Sequence, residues 1–252
     1  MQSLSWLLGA FFLPLFPMSL LFSRVWQGLG STRMRVLLIL LWPLPGVFVL
    51  DAMDPLIPSW LAIWALATSM LYGLRAVAIK EASVWVGYMA ISAWSLGWLI
   101  FAVSDNPVSP IAYVLSFSAS FALLTMIIGE IEHGYGAAYA GIVTGLAQDQ
   151  KALSALFVIF ILSAIATPFF PTFFVLLGNI AQVSGVRLFA AVIAALVWLV
   201  WSWSAMRLIQ GLLVGTSGKR VPPLLTKRKI AVYGVLASLL VVSALIDLGG
   251  LR

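Results

Sequence analysis

The chain has 252 residues, of which 63% are hydrophobic and only 9% charged, and its mean hydropathy is +1.10. A soluble globular domain carries about 25% charged residues, so this chain cannot cover itself in water and must take lipid as its main solvent. It has no cysteine and a single histidine, His133, which excludes disulfides, thiolate metal sites, iron–sulfur clusters and bis-histidine haem ligation.

No cofactor is therefore expected. The formal charge of +6 comes from Lys and Arg at the ends of apolar segments. There it reads as a topology signal and not as a nucleic-acid surface.

A spanning helix needs about 20 mostly apolar residues. By that measure the chain is expected to be an all-α, polytopic integral membrane helix bundle, one transmembrane domain over 1–252 with about eight spans. The spans fall at 4–22, 36–52, 56–79, 83–103, 108–129, 152–184, 186–213 and 229–248. The first lacks a basic leader and a small-residue cleavage site, so it reads as a helix and not as a signal peptide. The second is short between Arg35 and Asp51 and contains Pro43 and Pro45. The Gly-rich segment 134–146 is expected to form a short helix that dips into the bundle or lies at the interface, with a ninth span left open. The sixth span is too long for one straight helix and is interrupted by Pro168 and Pro171. Proline removes a backbone donor, and membranes tolerate the resulting break only where other protein groups meet the freed carbonyls. Residues 167–172 are therefore expected to be a broken helix packed inside protein.

Charge asymmetry orients the bundle. Arg24, Arg33 and Arg35 lie between spans 1 and 2, Arg75 and Lys80 between 3 and 4, and Lys219, Arg220, Lys227, Arg228 and Lys229 between 7 and 8. Asp51, Asp54 and Asp105 mark the other loops, and Arg187 alone runs against the pattern. The positive-inside rule makes the basic loops cytoplasmic and both termini non-cytoplasmic, in a bacterial inner membrane.

Ionisable residues near a membrane are candidates for function. Arg75, Lys80 and Glu81 end span 3, where they serve either as part of a hydrated ion path or as snorkelling anchors. Glu130, Glu132 and His133 follow span 5. Two carboxylates beside an imidazole, a group that titrates near neutral pH, can form a proton-loading cluster, and the alternative is a polar helix end. Asp149, Lys151, Arg207, Asp247 and Arg252 read as interfacial charges. No Walker loop, GxGxxG, HExxH or GxSxG is present, so nothing points to a hydrolase or a nucleotide-binding enzyme.

Several segments fall in a recognisable order. Ala78-Ile79-Lys80-Glu81-Ala82 is followed by a helix running from Gly87 through Ser92 and Ser95 to Gly97. Next come span 5, from Ala112 to Gly129, then His133-Gly134, Gly145-Leu146, and the broken stretch Ala164 to Phe174. From about residue 70 to 180 this order resembles the antiporter-like membrane subunits of respiratory complex I, Mrp-type sodium/proton antiporters and related assemblies. The relatives include the membrane partners of Dab/Mps-type inorganic-carbon uptake systems. Complete members of that family carry more spans. Where they place a lysine in the helix that resembles span 5, this chain has Ser120, Phe121 and Ala122. After the broken helix it has Val175, Leu176 and Leu177 in place of Glu or Lys. Lys80 alone matches a charged family position.

The resemblance implies a shortened, charge-poor membrane subunit beside larger ones in an ion-translocating complex. Its partners would be other membrane subunits and the bilayer, with no nucleic acid and no catalysis of its own. The relay or partner-contact candidates are Lys80, Glu130, His133, Glu132 and Arg75. A stand-alone secondary transporter with its site at Pro168 and Pro171 is the alternative. A membrane enzyme built on Glu130, Glu132 and His133 comes third.

Overall fold

The computed structural model describes residues 2–53, 57–103, 108–216 and 222–250, with side chains from 4 to 244 within these. Asp54, Asp105, Lys219, Arg220, Arg252 and the side chain of Asp247 lie outside the described residues. The chain is all-α. In order it forms α1 (Gln2–Phe12), α2 (Ser19–Gly28), α3 (Thr32–Leu41), α4 (Leu44–Met53), α5 (Ser59–Ala78) and α6 (Ala82–Leu96). There follow α7 (Pro110–Tyr135), α8 (Leu146–Asp149), α9 (Lys151–Ala164), α10 (Pro171–Val186), α11 (Leu188–Leu213) and α12 (Lys227–Gly250). Among the described residues, four stretches are by themselves long and apolar enough to cross a membrane: Thr32–Met53, Ser59–Ala78, Pro110–Tyr135 and Leu188–Leu213.

α6 lies at the centre, between α5 and α7. Every residue of it except Val84 and Tyr88 is buried, as befits a helix that is apolar all round. α3, α4 and α9 pack around α7, α11 packs on α5 and α10, and α12 lies against α9 and α10. The core is dense in tryptophan. Trp85, Trp94, Trp98 and Trp201 are fully buried, and each indole N–H has an acceptor. Trp201 donates to Ser92 Oγ at 2.8 Å, Trp94 to Ser118 Oγ at 3.2 Å, Trp85 to Ser204 Oγ at 3.3 Å and Trp98 to the Leu13 carbonyl at 3.0 Å. Buried indoles need such partners, and the small serines that supply them let the helices approach closely.

Two segments are broken. The sixth apolar stretch divides into α9 and α10, with Pro171 at the first position of α10, where a missing N–H costs nothing. Ala166 (φ 56) and Phe169 (φ 82) turn the chain between them. The freed carbonyls are met by side chains: Thr167 Oγ1 donates to Leu162 O at 3.1 Å, Thr172 Oγ1 to Ser163 O at 2.7 Å and Trp198 Nε1 to Ile165 O at 2.9 Å.

The first apolar stretch differs from the single helix expected over 4–22. It forms α1 and α2, separated at residues 13–18, where Pro14 and Pro17 interrupt the hydrogen-bond ladder. Here too other helices satisfy the backbone. Trp98 Nε1 reaches Leu13 O, Ser95 Oγ reaches Pro14 O at 3.3 Å, and Trp64 Nε1 reaches Phe16 O at 2.6 Å. The second stretch is kinked at Trp42 and Pro43 into α3 and α4. Segment 134–146 forms no dipping helix. It ends α7 and continues as an extended turn whose Tyr139 pairs with Glu81 in an isolated antiparallel bridge.

Candidate functional site

The two ion pairs among the described residues lie at one end of the bundle, and α7 organises them. This helix begins at Ser109, whose hydroxyl accepts from Ala112 N–H at 3.4 Å, with Pro110 in the first turn. It runs on past residue 129 and stops at Gly136, whose φ of 85° is left-handed, a conformation that glycine adopts without steric cost. Glu130, Glu132 and His133 are thus inside the last turns of α7. Two residues apart on an α-helix means a rotation of about 200°, so the two carboxylates face opposite neighbours.

Glu130 faces α12. Lys229 Nζ donates to its Oε1 at 2.7 Å and its Oε2 at 2.8 Å, and the Tyr233 hydroxyl donates to Oε1 at 3.3 Å. Glu132 faces α3. Arg35 Nη1 donates to its two oxygens at 3.3 and 3.2 Å, while Arg35 Nε donates to the Leu29 carbonyl at 2.8 Å. These are the two ion pairs among the described residues. Between them α7 and α3 touch at Gly129, where a Cβ would lie 2.5 Å from both Thr32 Cγ2 and Oγ1. His133 is exposed and lines two cavities. One, of about 630 Å³, is shared with Arg33, Glu130 and Lys229; the other, of about 590 Å³, is shared with Arg35, Glu81 and Glu132.

The remaining candidates stand apart. Lys80 and Glu81 form the α5–α6 junction, which segment 138–140 crosses: Ala82 N–H donates to Ala138 O at 2.9 Å and Ala140 N–H to Lys80 O at 2.8 Å. Glu81 accepts from the Ser83 hydroxyl at 2.8 Å. The Lys80 side chain is exposed and joins neither ion pair. Arg75 lies over the Tyr72 ring, 5.5 Å from its centroid, and lines a different cavity with Arg24. Pro168 is exposed and Pro171 buried at the α9–α10 break, away from these charges in the fold. Arg35 and Lys229, read from sequence only as topology markers, are the partners that the sequence analysis missed. Their signal was present in the positive-inside count, which predicts that basic loop ends share a face with the end of span 5, but not which cation meets which carboxylate.

The interior is uncharged. Its buried polar residues, among the described ones, are serines and threonines together with Gln150 and Asn179. At the position compared above with a family lysine, Ser120 Oγ lies 2.6 Å from Ser163 Oγ and accepts or donates there. Asn179 Nδ2 donates to Leu96 O at 3.3 Å.

A bundle of long apolar helices with an uncharged interior and charges confined to its rim defines a polytopic, all-α integral membrane protein. Its fold is shared with chains of an Mrp complex and of respiratory membrane complexes. A chain of the Mrp complex from Dietzia sp. DQ12-45-1b superposes with a TM-score of 0.80 at 17% identity, over 96% of this chain and 55% of that one. A chain of the membrane-bound sulfane sulfur reductase, an archaeal respiratory membrane complex, gives 0.82 at 18% identity over 96% and 51%. A chain of respiratory complex I from Thermus thermophilus with bound NADH gives 0.72 at 18% identity over 92% and 51%. At these identities the likeness is one of fold, and this chain spans about half the length of each. No family profile and no curated protein sequence matches the chain.

Proposed function

We propose that this chain is a membrane subunit of a proton- or ion-translocating assembly of the complex I-like, Mrp-like or inorganic-carbon uptake kind, and that it supports larger subunits without forming a complete ion path itself. The observation that carries this reading is the contrast between rim and interior. The fold is that of chains from such assemblies, yet the buried interior described above holds no acidic or basic side chain. A proton wire needs titratable groups or ordered water through the hydrocarbon layer, because an isolated charge or unsolvated proton there is costly. The buried interior is filled instead with apolar and aromatic side chains, Trp26, Trp85, Trp94, Trp98 and Trp201 among them. The whole chain acts in this reading as one membrane domain in a bacterial inner membrane, with the charged end cytoplasmic and both termini on the other side. Glu130, Glu132 and His133, with Lys80 and Arg75 nearby on the same rim, then contact a partner subunit or pass protons at its surface.

The two broken segments would suit a stand-alone transporter. Their carbonyls, however, are met by Trp64, Trp98, Trp198, Ser95, Thr167 and Thr172, which leaves these oxygens less available to an ion.

Purification of the tagged native chain in mild detergent, with mass spectrometry of co-eluting proteins, tests the proposal. Co-elution of a larger antiporter-like or redox subunit supports it. A homogeneous chain that carries ion flux alone in proteoliposomes overturns it.

A further inference from the structure

The third cavity, of about 660 Å³, differs from the two at the end of α7. It lies between α2, α5 and α6 and is lined by Arg24, Gln27, Tyr72, Arg75 and Tyr88, with Leu20 and Leu21 at its apolar side. Both of the other cavities have carboxylates in their walls, Glu130 in one and Glu81 with Glu132 in the other. None lines this one, so two guanidinium groups face the same space with no acid among the residues that form it.

Two further observations indicate a ligand. Tyr72 is fully buried, and its hydroxyl has no hydrogen-bond partner; the buried Ser23 hydroxyl, also on the wall, likewise has none. An orphan buried hydroxyl costs free energy unless something supplies the missing bond. The Tyr72 ring itself is fixed, edge to face against Tyr88 at 5.4 Å and beneath Arg75 at 5.5 Å. Leu20 and Leu21, in contrast, are 47% and 53% exposed on the outer side of α2, where lipid chains would lie.

We infer that this pocket holds the headgroup of an anionic phospholipid. The phosphate oxygens sit between Arg24 and Arg75, which offer forked donors suited to them, and take the hydrogen bonds that the Tyr72 and Ser23 hydroxyls lack. The acyl chains run along Leu20 and Leu21. Basic pockets between membrane helices on the cytoplasmic side favour such headgroups. The inference does not depend on the subunit role proposed above, only on the membrane location.

The test is native mass spectrometry of the full purified chain after delipidation, titrated separately with dioleoyl phosphatidylglycerol, dioleoyl phosphatidylcholine and inorganic phosphate. The wild type is expected to bind phosphatidylglycerol about tenfold more tightly than phosphatidylcholine. Arg24→Gln with Arg75→Gln removes that preference, and Gln27→Glu, an exposed polar exchange that adds a carboxylate to the wall, weakens phosphatidylglycerol alone by about fivefold. Arg33→Gln, on the same rim but outside the pocket, leaves it unchanged. Equal binding of the two lipids by the wild type overturns the inference, and so does unaltered phosphatidylglycerol binding in Gln27→Glu. Displacement of phosphatidylglycerol by millimolar phosphate overturns it in favour of a soluble anion. Should the double arginine variant not elute as a single species, Gln27→Glu and Tyr72→Phe decide alone, with Tyr72→Phe expected to weaken phosphatidylglycerol and not phosphatidylcholine.

Discussion

The Lys229 ammonium sits 2.7 Å from one carboxylate oxygen of Glu130 and 2.8 Å from the other, so the first turn of α12 is fastened to the penultimate turn of α7. α12 packs chiefly on α9 and α10, so this pair, with the Tyr233 hydroxyl beside it, ties the last helix directly to α7.

Glu130→Gln should therefore loosen α12. The Lys229 side chain is 49% exposed and that of Glu130 15%, so solvent screens much of the attraction and the loss should be about 0.5–1 kcal/mol. Thermal unfolding in detergent of Glu130→Gln, Lys229→Met and the double variant measures the coupling, which should shrink as salt is raised. Additive single effects would show that the pair contributes nothing.

Arg35→Lys keeps the charge opposite Glu132 but loses the fork that also holds the Leu29 carbonyl. With the Arg35 side chain 14% exposed and that of Glu132 27%, the substitution should cost about 1 kcal/mol. The same unfolding measurement should place Arg35→Lys well below wild type, and equal stability would mean that charge alone suffices there.

Gly129→Ala should push α7 off α3, because the added Cβ meets Thr32 at 2.5 Å. Overpacking of this kind costs about 1–3 kcal/mol. Thr32→Ala removes both opposing atoms, so the double variant should recover most of the loss. An unaltered melting temperature in Gly129→Ala alone would place the two helices farther apart than the structure has them.

Thr172→Val and Trp198→Phe each strip a donor from the α9–α10 break: the first leaves the Ser163 carbonyl with the Ala166 N–H, at 3.2 Å, and the second leaves the Ile165 carbonyl unmet. Each should lower stability by about 1–3 kcal/mol, read as a drop in melting temperature and in the yield of monodisperse protein. If both are neutral, water or lipid reaches the break.

Ser120→Lys places a charge at a fully buried position. Without a carboxylate in the interior to pair with, the ammonium should destabilise the chain by about 3 kcal/mol or more and confer no proton flux in proteoliposomes. Flux through this variant would show that a hydrated path already exists and would remove the basis for a non-conducting role.

Much of the bundle could be read from the chain, because lipid imposes a simple length rule on apolar segments. The break at Pro168 and Pro171 was visible for the same reason: a long apolar run with two prolines has few other solutions. The break at Pro14 and Pro17 carried the same signal, but its run is short enough to pass for one helix. Its stability depends on Trp64, Ser95 and Trp98, residues whose roles a local reading cannot see. At the rim, the spacing of Glu130 and Glu132 on α7 implies two different faces. That Lys229 and Arg35 take those faces, 99 and 97 residues away in the chain, depends on how α12 and α3 pack, which no local pattern encodes. Segment 134–146 differs from the expected short helix because Gly136, Gly141 and Gly145 serve turns at positive φ, and the strand-like pairing of Tyr139 with Glu81 is too short to leave a pattern.

The partners of the first broken segment also impose an order on biogenesis. Among the described residues, the donors to the carbonyls of Leu13, Pro14 and Phe16 are Trp98, Ser95 and Trp64, which lie 85, 81 and 48 residues further along. A ribosome delivers those side chains after the N-terminal segment has emerged, and bare carbonyls are not tolerated against lipid. The segment that joins α1 to α2 must therefore wait at the membrane surface or inside the insertion machinery until α5 and α6 arrive, so it settles into the bilayer after helices that follow it in the chain.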